Sequence, residues 1–244
     1  MGHAVIDWLR RGHESPSVEV AGQPLPIAIR RHPRATRLTM RLAPDGSELR
    51  ITMPRWGRTA DATAFARSRV AWIAGQLAAL PPAAPALPGS DIRYRGDLLR
   101  IDWGEGRARR PMLEDGALHL GGPRDTVPQR VRRWLEAEAG TLLAGDLAFY
   151  CARAGITLPE LRLSRAQRRW GSCSGKGCIR INWRLVQAPD AVRRSVVAHE
   201  VAHLTHFDHS PAFHAHLARL FDGDLAAADG WLRREGRSLY AAFG

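Results

Sequence analysis

The chain has 244 residues, 45% hydrophobic and 25% charged, a balance that excludes a disordered or fibrous polypeptide and suffices for one large domain or two small ones. Lys plus Arg total 36 against 24 Asp plus Glu, a formal net charge of +12, which excludes an acidic solvating chain and points toward anionic partners. Only one cation is a lysine, Lys176, so a general preference for arginine codons is a competing source of the basicity.

In chain order, Met1 to Arg11 lacks the apolar stretch of a secretory signal, and Ile6 stands where a myristoylation signal needs Ser or Thr. Leu38, Met40 and Leu42, then Leu49, Ile51 and Met53, alternate with polar residues about a Pro44-Asp45-Gly46-Ser47 turn, the period-2 pattern of a hairpin. Thr59 to Leu80 carries Phe65, Val70, Trp72, Ile73 and Leu77 at helical spacing and ends at a proline-rich connector, 81–88. The uncharged stretch Val70 to Ser90 contains Pro81, Pro82, Pro85 and Pro88, which excludes a membrane helix. Further strands follow around Ile92–Tyr94, Leu99–Trp103 and, on either side of Asp115-Gly116, Leu113 and Leu118. A long amphipathic helix spans about Thr126 to Ala154 and stops at Gly155; a hairpin is expected over about 161–187, and helices fill the remainder. No internal repeat is visible. The chain therefore reads as α+β, with a strand-rich N-terminal domain, 1–123, holding one inserted helix, and a second domain, 124–244, divided from it at Gly121-Gly122-Pro123. Three cysteines, Cys151, Cys173 and Cys178, lack paired spacing and read as reduced thiols of a cytoplasmic protein.

Six of the ten histidines fall between 199 and 216, and His199-Glu200-x-x-His203 has the spacing that sets two imidazoles one turn apart on one helix face. A shuffled chain with ten His and ten Glu shows this pattern roughly 2% of the time. Asp190 after Pro189 is expected to cap the helix, and Val192, Val196, Val197 and Val201 to bury it, a rigid platform for a metal. Glu200 projects beside the imidazoles, where it can reach the water such a metal activates. Catalytic zinc usually takes three protein ligands, so a third is needed. On a continuing helix His206 stands about 10 Å along the axis from His199. Ser210-Pro211, however, reads as an N-cap with proline at the first helical position, so the first helix should end near Phe207 or Asp208, and the reversal can return His209 to the metal. His206, His214 and His216 read as helix-surface or supporting residues, and Asp208, Asp222 and Asp224 as alternatives for orienting a ligating imidazole.

These residues, with His209-Ser210-Pro211-x-Phe213, Arg169-Trp170-Gly171-Ser172-Cys173-Ser174 and Ile181-Asn182-Trp183-Arg184-Leu185, resemble the YgjP-like metal-dependent hydrolases, related to the SprT-like zinc metallopeptidases. The resemblance implies a zincin-like C-terminal domain, one zinc ion on His199, His203 and His209, Glu200 as catalytic base and then acid, and a peptide or protein substrate. Tyr240, His214 or an arginine would supply oxyanion stabilisation. Residues 161–189 carry Arg162, Arg165, Arg168, Arg169, Lys176, Arg180 and Arg184 with no Asp or Glu, and Trp170 and Trp183 among them, a candidate nucleic-acid contact. If the strand Ile179–Trp183 is open along one side, an extended peptide could pair with it. A nucleotide triphosphate hydrolase using the same arginines, and a noncatalytic zinc-stabilised binding module, are the competing readings.

Overall fold

The computed structural model describes residues 16–175 and 177–243; the expectations for Met1–Arg11 and the cation Lys176 lie outside them. Contacts divide the chain after Leu80, at the proline-rich stretch. The boundary expected at 121–125 falls inside the second unit: Ile92, Leu99, Ile101, Leu118 and Leu120 share one buried core with Val127, Val131 and Leu135 of the long helix. Gly121 and Gly122 serve close approach rather than a linker, since a Cβ on Gly121 would lie 2.1 Å from the Arg107 carbonyl oxygen.

The first unit has a four-stranded sheet in the order β1-β2-β4-β3, with β1 Ser17–Val20, β2 Gln23–Arg31, β3 Thr39–Leu42 and β4 Leu49–Met53. β2 and β4 run parallel and the outer pairings are antiparallel. Val18, Val20, Leu25, Ile27, Leu49, Ile51 and Met53 supply the buried face, packed with Ala62, Ala66 and Ile73 of the helices. β1 and β2 were not expected: Pro24 and Pro26 break the apparent strand pattern, which places them where no central-ladder N–H is needed. The expected helix 59–80 is two, α1 Thr59–Arg67 and α2 Val70–Ala78, separated where the Ser68 hydroxyl donates to the Phe65 carbonyl.

The second unit repeats that topology, although no sequence repeat marks it. β5 Asp91–Tyr94, β6 Asp97–Trp103, β7 Met112–Glu114 and β8 Ala117–Leu120 are ordered β5-β6-β8-β7, again with the middle pair parallel. The turns Arg95-Gly96 and Asp115-Gly116 have positive φ at both residues, as two-residue hairpin turns require. α3, Val127–Ala154, buries a stripe at Val131, Leu135, Ala139, Leu143 and Leu147 and ends at Gly155, whose φ of 67° closes its C-terminus.

β9 Leu161–Ser164, β10 Gly171–Cys173 and β11 Ile179–Asn182 form a third sheet, ordered β10-β11-β9. The span expected as one long hairpin is not one. β9 pairs parallel with β11, because residues 165–170 carry the chain across it, and the tight hairpin is only β10–β11, closed by Gly177 N–H donating to Ser174 O. A 3-10 helix, Trp183–Gln187, then leads into α4 Asp190–Ala202, followed by α5 Pro211–Leu220 and α6 Leu225–Glu235. The described part is therefore α+β, strand-rich first and helical later. No helix among the described residues is long and apolar enough to cross a membrane.

Pro189, not Asp190, is the N-cap of α4, and the Asp190 carboxylate instead accepts from Arg95 and Arg193. Arg193 is 3% exposed and also donates to Asp146 at 2.7 Å. Its removal leaves the largely buried Asp146 without its close partner, while Asp190 keeps Arg95, so Arg193→Ala is expected to destabilise the protein by about 3 kcal/mol, measured as a lowered urea midpoint.

Candidate metal centre

α4 is buried along Val192, Val196, Val197 and Val201, which fixes its last turn against the core. The helix ends at Ala202, earlier than the expected Phe207 or Asp208, with His203 as its C-cap. A turn follows in which His206 N–H still reaches Ala202 O. Ser210 then caps α5, its hydroxyl accepting from Phe213 N–H, with Pro211 at the first helical position. The early stop gives the connecting loop room to bring His209 back.

The three imidazoles converge. His199 Nε2 lies 3.1 Å from His203 Nε2 and 3.3 Å from His209 Nε2, and one donor atom from each residue falls within 4.8 Å of the others. Two nitrogens at tetrahedral positions with bonds of 2.0–2.1 Å sit about 3.3 Å apart, a spacing that both distances to His199 match. Imidazole nitrogens suit Zn, Cu, Fe or Ni rather than Mg or Ca. His203 Nδ1 is 2.9 Å from the His206 carbonyl oxygen; as the N–H donor there, it leaves its Nε2 bare for the site. Burial, with the neighbouring imidazoles, lowers the His199 pKa to about 4, so this ring is neutral at neutral pH, the state a metal needs.

Phe213, fully buried, lies beneath all three rings, with centroid distances of 5.0 Å to His199, 4.5 Å to His203 and 4.9 Å to His209. Its packing role was not foreseen, since nothing in its spacing separates it from ordinary core. His206 contributes its carbonyl, while its ring meets that of His216 edge to face. None of the three aspartates weighed as imidazole partners fills that role. Asp208 accepts from Ser210 N–H, Asp222 from Tyr150 and Arg194, and Asp224 caps α6 through Ala227 N–H.

Glu200 is 5% exposed, and its Oε2 has no hydrogen-bond partner, an expensive arrangement unless that atom has another use. The Cys173 backbone N–H donates to the carboxylate, and burial pushes its pKa up to about 7. Gly171 makes the space: a Cβ there would lie 2.3 Å from Glu200 Oε1 and 2.6 Å from Cγ. Gly171→Ala is thus expected to retain metal and lower kcat about 100-fold, because displacing a catalytic group by about 1 Å costs that much; metal analysis beside peptide kinetics checks both halves.

A cavity of about 570 Å³ opens beside Glu200 and His199, walled by Trp170, Val196, Leu217, Leu225 and Leu232, with Ser195, His214 and Asp229 as its other polar members. Tyr240 is 4% exposed and its hydroxyl meets Asn182 and Ala166 O, so of the named oxyanion stabilisers His214 is the one that lines this space. The edge strands of the third sheet are β10 and β9; β11, weighed as a strand open along one side, is its central strand. Of the basic run, Arg162 pairs with Glu160 and Arg165 with Glu136, while Arg184 is buried, stacked on Trp183 and Tyr240. Trp183 is fully buried and cannot stack on a base. Arg168, Arg169 and Arg180 are exposed.

No curated protein and no solved structure matches the chain. The model of the YgjP-like family, described as a YgjP-like metallopeptidase domain, matches residues 36–235, a span that takes in β3, every later strand and the three histidines. With that match over most of its length, the chain belongs to the YgjP-like family and carries its metallopeptidase domain.

Proposed function

We propose that the protein is a zinc-dependent metallopeptidase with a zincin-like catalytic unit, in which His199, His203 and His209 hold one zinc ion and Glu200 is the general base and acid. The observation that carries this reading is the buried Glu200 carboxylate, its Oε2 without a hydrogen-bond partner, next to three convergent imidazoles. When bound, zinc supplies a water acidified toward neutrality and polarises the scissile carbonyl. Glu200, with a pKa near 7, accepts a proton at Oε2 and returns it to the leaving amine. Cys173 N–H steadies that carboxylate, and Phe213 with the His206 carbonyl holds the rings in register. An extended substrate adds to the β10 edge by main-chain hydrogen bonds, with a side chain in the neighbouring cavity. Three free cysteines suit a reducing, cytoplasmic setting.

The donor set argues against a nucleotide triphosphate hydrolase, which would hold Mg²⁺ through carboxylates and phosphates. The orphaned Glu200 argues against a noncatalytic zinc module, which closes its metal with four ligands. The test is elemental analysis of the purified protein beside hydrolysis of casein and of nucleoside triphosphates. About one zinc per chain and chelator-sensitive casein cleavage support the reading. Triphosphate hydrolysis alone, or tightly held zinc with no hydrolysis, overturns it.

A further inference from the structure

The parallel pairing of β2 with β4 brings two loops to one end of the first unit's sheet: 32–38, between β2 and β3, and 54–58, between β4 and α1. The two are joined by Arg31, whose side chain donates to Gly57 O and to Thr59 Oγ1, and by His32 N–H donating to Met53 O. Arg31 thus fixes the loop that carries Trp56. This indole is 79% exposed, the most open of the large hydrophobic side chains among the described residues. Its ring presents a flat apolar face to solvent, the kind of surface on which a planar partner can stack.

Charge is sorted along the same sheet. Residues 16–80 hold ten arginines and four acids, Glu19, Asp45, Glu48 and Asp61. Glu19, Asp45 and Glu48 lie by the turns at the opposite end, set by the pairing of Val20 with Gln23 and of Leu42 with Leu49. Asp61, at the loop end, is occupied in accepting from Arg58 N–H. Arg30, Arg34, Arg37, Arg55 and Arg58 lie in or next to these two loops, all exposed and none in an ion pair with another described residue. Arg41 and Arg50 lie toward the acidic end, Arg50 paired with Glu48, so the loop end is set apart by holding one acid, Asp61, of the four in residues 16–80.

We infer that this end of the N-terminal sheet binds single-stranded nucleic acid, with an unpaired base stacked on Trp56 and phosphates held by the surrounding arginines. Guanidinium forks match phosphate oxygens, and a flat exposed ring accepts any base face, which is the chemistry of sequence-tolerant single-strand binding. A lipid surface would ask for a contiguous apolar patch, and within these two loops Trp56 is the one large apolar side chain so exposed. The inference does not rest on peptide hydrolysis, and the site is independent of the metal.

The test is fluorescence anisotropy of labelled 20-nucleotide dT and rU strands, and of a duplex, with the full-length protein at several salt concentrations. Tight, salt-dependent binding of either strand is expected, the dT and rU arms separating DNA from RNA. Trp56→Ala should weaken single-strand binding about 5- to 150-fold and leave duplex binding unchanged, while Trp56→Phe keeps most of the affinity. Arg55→Ala with Arg58→Ala should shrink the slope of log K against log salt by about 1.4, at about 0.7 per lost phosphate contact. Circular dichroism controls for folding. Binding that ignores these substitutions, binding that is lost only in an Arg168→Ala/Arg169→Ala variant, or capture of anionic vesicles or polyglutamate but not of either strand would each overturn the inference.

Discussion

Glu200→Gln is expected to yield a protein that holds its metal and cleaves peptide roughly 1,000-fold more slowly, the scale set by loss of a positioned general base. The amide keeps the shape of the carboxylate, so the clearance at Gly171 and the donation from Cys173 N–H are not disturbed sterically, and no ligating nitrogen is touched. What is lost is the ability of Oε2 to take a proton. The same change has a signature in the metal-free protein. Burial raises the folded pKa of Glu200 from the ordinary 4.5 to about 7, so ionising it opposes folding. The penalty is absent below about pH 4.5, grows as pH rises to 7 and is complete above it, on the order of 3 kcal/mol. Metal-free Glu200→Gln should therefore melt higher than metal-free wild type at pH 8, with the advantage fading toward pH 5. An active Glu200→Gln enzyme would remove Glu200 from the mechanism.

His203→Ala is expected to fail at an earlier step, losing the metal itself. One of three donors disappears, and with it the Nδ1–H bond that ties the turn to the His206 carbonyl and the ring stacked on Phe213 at 4.5 Å. Elemental analysis should find metal content reduced at least 10-fold after dialysis, and peptide cleavage at background, while the far-ultraviolet spectrum stays that of a folded protein. The two variants together separate holding the ion from using it: one keeps metal without turnover, the other has neither. Full metal occupancy in His203→Ala would mean that the ion, if any, is held elsewhere.

The convergence of the three histidines was legible because its determinants are local. The i, i+4 spacing of His199 and His203 fixes a shared face, and Ser210-Pro211 announces a new helix, which implies the reversal that returns His209. The hairpins at 39–53, 91–103 and 112–120 were legible for the same reason: alternation plus a turn that accepts positive φ. What escaped depends on partners far along the chain. β2 hides behind two prolines, and β9 joins its sheet in parallel, a pairing that no short-range pattern encodes. The boundary read at Gly121-Gly122-Pro123 falls inside the second unit because the segment looks like a linker in composition, whereas Gly121 admits the Arg107 and Gly104 backbone. Trp183 reads as an aromatic among cations and is core, because the strand ends at Asn182 and the chain turns there into a 3-10 helix whose five residues are all buried.

The turn at Arg95-Gly96 clasps the start of α4: Arg95 N–H donates to Val186 O, Gly96 N–H to Gln187 O, and the Arg95 guanidinium reaches Asp190. These contacts span some 95 positions, whereas the three histidines fall within eleven. Loop-closure entropy makes the distant contacts the slow ones to form. During folding, the histidine-bearing turn can therefore assemble early while the helix that carries it still lacks its anchor. Maturation of the centre is then timed by the docking of a hairpin synthesised some hundred residues before it, so the rate at which competence appears belongs to the long-range topology rather than to the ligands themselves.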